Sequence, residues 1–269
     1  MSKLKKVAVI IPFYRETVFE YEAIALQQCE KILASYDKIA IKPRHLTLPA
    51  GADQCTFADV VSFDDSFFDG IQGYNALMLS AQFYEAFLAY EFILIYQLDA
   101  FVFKDDLSYW CAQKYDYIGA PWLREFDFPD VFKAAKSKIQ YQLHTRFNIK
   151  RNGVPSLMQY ENKVGNGGFS LRRVKKFYDL CFKMRAEMDV YINRKEALYH
   201  EDMFWSVAVN RKTKQLEIPS YKIGLKFSME IYPERAFQIN HQQLPFGCHA
   251  WDKHADFWRP IFAGFGYNI

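Results

Sequence analysis

The chain has 269 residues, 51% of them hydrophobic and 18% aromatic, with 34 Lys and Arg against 31 Asp and Glu. This excludes a disordered or fibrous protein and leaves enough apolar surface for one large α/β domain or two small ones. A net charge of +3 is too mild for a nucleic-acid coat, and no Lys/Arg-rich tail or zinc-finger spacing points to one.

The segment MSKLKKVAVIIPFY has a basic start and an apolar run, like a secretory signal. The run ends at Pro12 with no small-residue cleavage site after it, and a buried strand over residues 7–11 explains it better. Helical spacing over 18–35 and a strand over 39–43 complete a βαβ start. A helix over 73–90 leads into the apolar run FILIYQLDAFVF, with Asp99 toward its carboxyl end, where open α/β sheets collect ligands. A short helix over 105–113 and a strand over 115–122 follow, and periodicity then weakens over 123–163, the mark of a lid or binding insertion. VGNGGFSLRR opens a helix reaching about residue 188, another spans 200–212, and the tail 219–269 reads as aromatic and irregular.

Residues 131–160 contain no Asp or Glu but carry Lys133, Lys136, Lys138, Arg146, Lys150 and Arg151. They form either a solvated face or a basic flap over a phosphate-bearing ligand or anionic lipid. Cys29, Cys55, Cys111, Cys181 and Cys248 form no CxxC pair, which predicts free thiols in a reducing, cytoplasmic setting. No window approaches the roughly 18 uncharged apolar residues of a membrane span.

Four stretches could carry chemistry: IIPFYRE, QLDAFVF, GNGGFSLRR and HEDMFW. Asp99 in an apolar strand is either structurally hydrogen-bonded or placed at a site, because an unpaired buried carboxylate costs several kcal/mol. GNGG is a tight turn or a close backbone approach to a ligand. Glu201 and Asp202 are either helix-capping carboxylates or a base with its neighbour. His249 in PFGCHAW is a buried structural histidine or a ligand.

In this order the motifs resemble the GT-A fold of nucleotide-sugar glycosyltransferases, distantly the inverting glycosyltransferase family 2. Along nearly the whole chain, QLDAFVF, DYIGAPW, GNGGFSLR, EDMFW and LPFGCHAW resemble a bacterial domain-of-unknown-function family assigned to glycosyl transfer. The fold implied is α/β, a GT-A-like (Rossmann-like) mixed, mainly parallel sheet flanked by helices, with an irregular aromatic-rich C-terminal segment. It implies one domain over 1–269, with a nucleotide-sugar half at 1–122, a basic lid at 123–163 and an acceptor half at 164–269.

The resemblance implies donor contacts from Pro12, Tyr14, Glu16, Asn75, Asp99 and Arg172. It implies sugar or acceptor contacts from Trp122, Asn166, Gly167, Gly168, Phe169 and Trp205, and catalysis by Asp202 as base beside Glu201, or the reverse. Asp99 matches the first aspartate of a DxD motif whose third position is Phe101, so a divalent cation, manganese or magnesium, would need His249, Asp105 or Asp106 beside it. Without a metal, Arg124, Arg172 or the segment from Lys133 to Arg151 would have to hold the diphosphate.

The implied activity is inverting transfer from a nucleotide-diphosphate sugar to a bacterial surface glycan of capsule or O-antigen type. The acceptor could be lipid-linked, and the protein peripheral at the inner face of the membrane. The rival readings are an inactive glycan-binding or scaffolding subunit and, less consistent with PFYRE, a nucleotidyltransferase.

Overall fold

The computed structural model describes residues 4–127 and 130–269, so Phe128 and Pro129 of the expected lid lie outside the described residues. The central sheet is built on four parallel strands: β1 (Lys5–Pro12), β2 (Asp37–Pro43), β3 (Asp59–Phe63) and β4 (Tyr90–Tyr96). They lie in the order β3, β2, β1, β4, followed by the strand Phe169–Arg173 and the edge strand Tyr117–Ile118. Phe169–Arg173 runs antiparallel to both neighbours. The sheet is therefore mixed and mainly parallel.

Strand alternation divides the interior into two layers. Val7, Val9, Ile11, Phe92 and Leu94 face one core with Ala25, Leu26 and Cys29 of α1 (Glu20–Ile32). Ala8, Ile10, Ile93 and Ile95 face the other, against Leu77 and Met78 of α2 (Gly70–Met78) and Phe177 of the helix Val174–Lys183. Each fully buried large side chain contributes about 1.5–3 kcal/mol, which is why these strands read as continuous apolar runs.

The run FILIYQLDAFVF is two strands. Pairing with β1 ends with Ile10 opposite Ile95, the chain turns through residues 97–99, and Phe101–Val102 joins a separate small sheet with Gly247–Cys248 and Ser228–Met229. Phe101 stacks on Phe262 with ring centroids 3.9 Å apart, inside a third core of C-terminal aromatics.

Several expected elements differ. The helix over 73–90 is α2 plus a short helix Ala81–Glu85, restarted where Ser80 Oγ accepts the Phe83 N–H at 3.2 Å. GNGG leads into a strand, with helices Val174–Lys183 and Arg185–Ile192 only after it. The helix at 200–212 is limited to Glu201–Ser206 and a 3-10 turn. The tail, expected irregular, contains helices Tyr221–Phe227, Pro233–Ile239 and Ala255–Ala263. The weakly periodic insertion holds a 16-residue helix, Val131–Arg146. All five cysteines are free and buried, and no helix among the described residues is long and apolar enough to cross a membrane.

Candidate active site

The chain leaves β1 for β2 on one side, and β4 lies on the other, so their carboxyl ends flank a topological switch point. A cleft of about 390 Å³ opens there. One side of its lining includes Pro12 and Tyr14 after β1, Asn75 of α2, and Gln97 and Asp99 in the turn after β4. Asn166, Gly167 and Gly168 line it from the turn before Phe169–Arg173, Glu201 and Asp202 from the start of a helix, and His249 from the C-terminal core.

The small sheet explains how His249 reaches Asp99. Cys248 pairs with Phe101 and with Met229, so the residues just beyond these positions converge. His249 Nε2 lies 3.0 Å from Asp99 Oδ1 and 3.1 Å from Gln97 Oε1, while Nδ1 lies 3.5 Å from Glu230 Oε1. Burial opposes a charged ring, but Asp99 and then Glu230 outweigh it, and the His249 pKa is pushed up to about 10. Burial likewise opposes ionisation of Asp99, and the charged ring overcomes it to hold that carboxyl below its ordinary value. The imidazolium thus supports the carboxylate that the apolar strand delivers.

Gly168 allows this approach, since a Cβ there would overlap His249 Nε2 and Gln97 Oε1. Asn166 ties the turn down: its Nδ2 donates to Glu230 Oε1 at 2.7 Å and its Oδ1 accepts the Gly168 N–H at 2.9 Å. Across the cleft, Arg172 Nη2 and Nη1 donate to Glu201 Oε1 and Oε2 at 2.9 and 3.2 Å. Asn75 Oδ1 accepts the Glu201 N–H at 3.1 Å. Asp202 Oδ1 accepts the Met203 N–H at 2.8 Å, and burial, followed by the Glu201 and Glu230 carboxylates, pushes the Asp202 carboxyl well above the usual range.

Five expected contacts are not at the cleft. Glu16 is exposed outside its lining. Arg172 is fully buried beneath it and committed to Glu201 and Tyr84. Phe169 is packed between Tyr96, Phe227 and Phe246, and Trp205 is buried against Phe177 with its indole N–H donating to the Met78 carbonyl at 3.2 Å. Trp122 packs edge-on to Tyr160 instead. Asp105 accepts the Tyr36 hydroxyl, Asp106 pairs with Lys104, and neither lines the cleft.

Arg124 pairs with Glu161, and no described residue of 123–163 lines this cleft. Three lining residues carry no signal of their own in the sequence. Glu22 pairs with Arg15 and caps α1 by accepting the Phe19 N–H at 2.8 Å, and burial raises its pKa. Tyr74 remains a neutral donor, because burial pushes its phenol up to about 12. Asp252 adds a further carboxylate. Gln97, by contrast, was readable, two residues before Asp99.

Among the described residues lining the cleft there are five carboxylates, Glu22, Asp99, Glu201, Asp202 and Asp252, and no Lys or Arg. No cluster of three or more His, Cys, Asp or Glu among the described residues has the arrangement of a metal site. A divalent cation would instead find Asp99, the imidazole of His249 and the neutral Gln97 oxygen, a sparse set of the kind completed by phosphate oxygens and water. Two acceptor oxygens converging on one ring nitrogen fit that role, because a cation there replaces the ring proton.

By backbone geometry the chain is similar to an active-site mutant of LgtC, at 14% identity over 90% of this chain and 86% of that one, with a TM-score of 0.50. Galactosyltransferase LgtC bound to donor and acceptor sugar analogs gives 12% identity over 90% and 86%, with a TM-score of 0.48. Mouse xyloside xylosyltransferase 1 gives 9% over 91% and 97%, with a TM-score of 0.49. No curated protein matches by sequence. The strand order and flanking helices are those of a GT-A-like fold. A family model matches residues 57–249, most of the chain, which therefore belongs to the family described as protein of unknown function DUF5672.

Proposed function

We propose that this protein transfers a sugar from a nucleotide-diphosphate donor to a glycan hydroxyl. The observation that carries this reading is the cleft at the β1–β4 switch point, which gathers Gln97, Asp99 and His249 on one side and Glu201 and Asp202 on the other. A donor diphosphate entering a cleft lined by five carboxylates and no Lys or Arg requires added positive charge. A divalent cation held by Asp99, His249 and Gln97 would neutralise charge developing on the leaving diphosphate.

The chain's own residues supply the rest. Gly167 and Gly168 let the backbone approach the sugar, and Asn166 keeps that turn in register. Asp202, made strongly basic by burial and neighbouring carboxylates, accepts the acceptor hydroxyl proton once it is ionised. Arg172 acts from below by fixing Glu201. We take the outcome as inverting and the acceptor as a surface glycan of capsule or O-antigen type, lipid-linked, with residues 1–122 serving the donor and 164–269 the acceptor.

The acidity of the cleft also favours a second reading, a catalytically inactive module that binds neutral glycans. The test is a panel of nucleotide sugars screened for thermal stabilisation with and without manganese or magnesium, in wild type and Asp99→Ala. A donor at a hundredfold excess over its dissociation constant stabilises by about 2.7 kcal/mol. Metal-dependent stabilisation that disappears in Asp99→Ala supports transfer. Stabilisation by free glycans alone, with no nucleotide sugar active, would establish the binding module instead.

A further inference from the structure

The helix Val131–Arg146 is only weakly amphipathic, but its largest apolar side chains lie on the outer side. Its inner face is small or polar: Ser137 is buried, and Ala134, Tyr141, His144 and Thr145 are half-buried. Polar contacts hold it there, with Arg124 Nη2 donating to Ser137 Oγ at 3.3 Å and His144 Nδ1 lying 2.9 Å from Ser156 Oγ. The outer face is apolar. Phe132 is 84% exposed, and Ile139 and Leu143 share its stripe, about 40° wide at 3.6 residues per turn. Lys136 and Arg146 border the stripe, with Lys133 and Lys138 further round.

Beyond the helix, Phe147 is 70% exposed and Leu157 is also exposed. Phe147 and Lys150 open onto a depression that Lys183, Arg211 and Lys212 also line, with Glu187 its only carboxylate among the described residues. Further acidic residues flank the amino-terminal end, Glu125, Asp127 and the capping Asp130, which accepts the Lys133 N–H at 2.7 Å, and Glu161 pairs with Arg124 beneath the helix.

We infer that this face docks the protein on an anionic lipid surface. A narrow apolar stripe bordered by Lys and Arg can enter the bilayer interface, its aromatic and aliphatic side chains inward and its basic heads at the phosphates. The acid-free stretch supplies the charge complement. A second copy is a poor occupant, because it would set two basic faces against each other. The inference is independent of the chemistry in the cleft, and its test reads no activity.

The full chain is sedimented with phosphatidylcholine vesicles, with and without phosphatidylserine. Two variants confined to exposed positions are compared: Phe132→Ser/Ile139→Ser/Leu143→Ser and Lys133→Glu/Lys136→Glu/Lys138→Glu. Unchanged thermal midpoints check their fold. Wild type should sediment with the anionic vesicles and be released by salt. Loss of the three Lys alone should weaken partitioning roughly a hundredfold, at about fivefold per Lys near the surface, and the three introduced carboxylates weaken it further. Failure of wild type to bind anionic vesicles, or variants that bind as well as wild type, overturns the inference. So does a wild-type dimer abolished by both variants, or equal binding to polyglutamate, which would assign the face to a second copy or an acidic protein.

Discussion

Replacing Arg172 by Met removes the one cation that faces Glu201 from beneath the cleft. The guanidinium is fully buried and its carboxylate partner is 5% exposed, so water cannot substitute for the lost donors. Both Glu201 oxygens lose a bond, at 2.9 and 3.2 Å, and Tyr84 loses the contact its hydroxyl makes with Nη1 at 3.0 Å. Breaking a buried pair from one side destabilises by about 3–5 kcal/mol, because a charge is left without a partner. At about 2–4 °C per kcal/mol, the thermal midpoint should fall by roughly 10 °C. Urea titration provides the free energy directly.

The second arm is Arg172→Met/Glu201→Met, which removes both charges and should recover most of the loss, since replacing a whole buried pair by apolar groups is often neutral. A single variant within 1 kcal/mol of wild type, or a double variant no more stable than the single, would refute the claim that the pair holds the base side of the cleft.

Gly168→Ala should lower the melting temperature and abolish stabilisation by nucleotide sugars, because its Cβ would push His249 off Asp99 and displace Gln97. Asp202→Asn should retain donor binding and lose transfer; equal turnover in product assays would remove Asp202 from the base role. The rate of wild type should climb with pH beyond the ordinary carboxylate range, because the Asp202 pKa is raised. His249 has its pKa raised from 6.5 to about 10, so its stabilisation is complete below 6.5 and is lost as pH rises through 10. The unfolding free energy from urea titration should therefore decline across that window at up to about 1.4 kcal/mol per pH unit, and His249→Gln should flatten the decline.

The sheet was legible where burial is two-sided. β1, β2 and β4 read as apolar runs because helices cover both faces, whereas β3, DVVSF, is a largely exposed edge strand with little apolar continuity and went unread. Residues 169–173 were placed on a helix because FSLRR shows no alternation that burial would impose: Phe, Ser, Leu and one Arg are all buried there. The 16-residue helix of the insertion was hidden for a related reason. Its few large apolar side chains face solvent among Lys, Gln and small residues, and no core face imposes a strong period.

The site was legible as chain order and illegible as side-chain direction. Asp99 was located, but pairing it with Phe101 assumed that the strand continued, and the small sheet instead turns Phe101 into the aromatic core. With the strand ending at Tyr96, the turn lines the cleft with Gln97, Leu98 and Asp99, and its two polar groups form a Q-x-D with the acid last. That register changes the electrostatics. Asp99 and Glu230 approach the His249 ring from its two nitrogens and favour the imidazolium, while the neutral Gln97 oxygen shares Nε2 with Asp99. Glu230 sits in SMEIY, which carries no motif, and only the pairing of Met229 with Cys248 brings it to the ring. The raised His249 pKa therefore comes from Asp99 and Glu230, two carboxylates that only the pairing of strands distant in sequence brings to the ring.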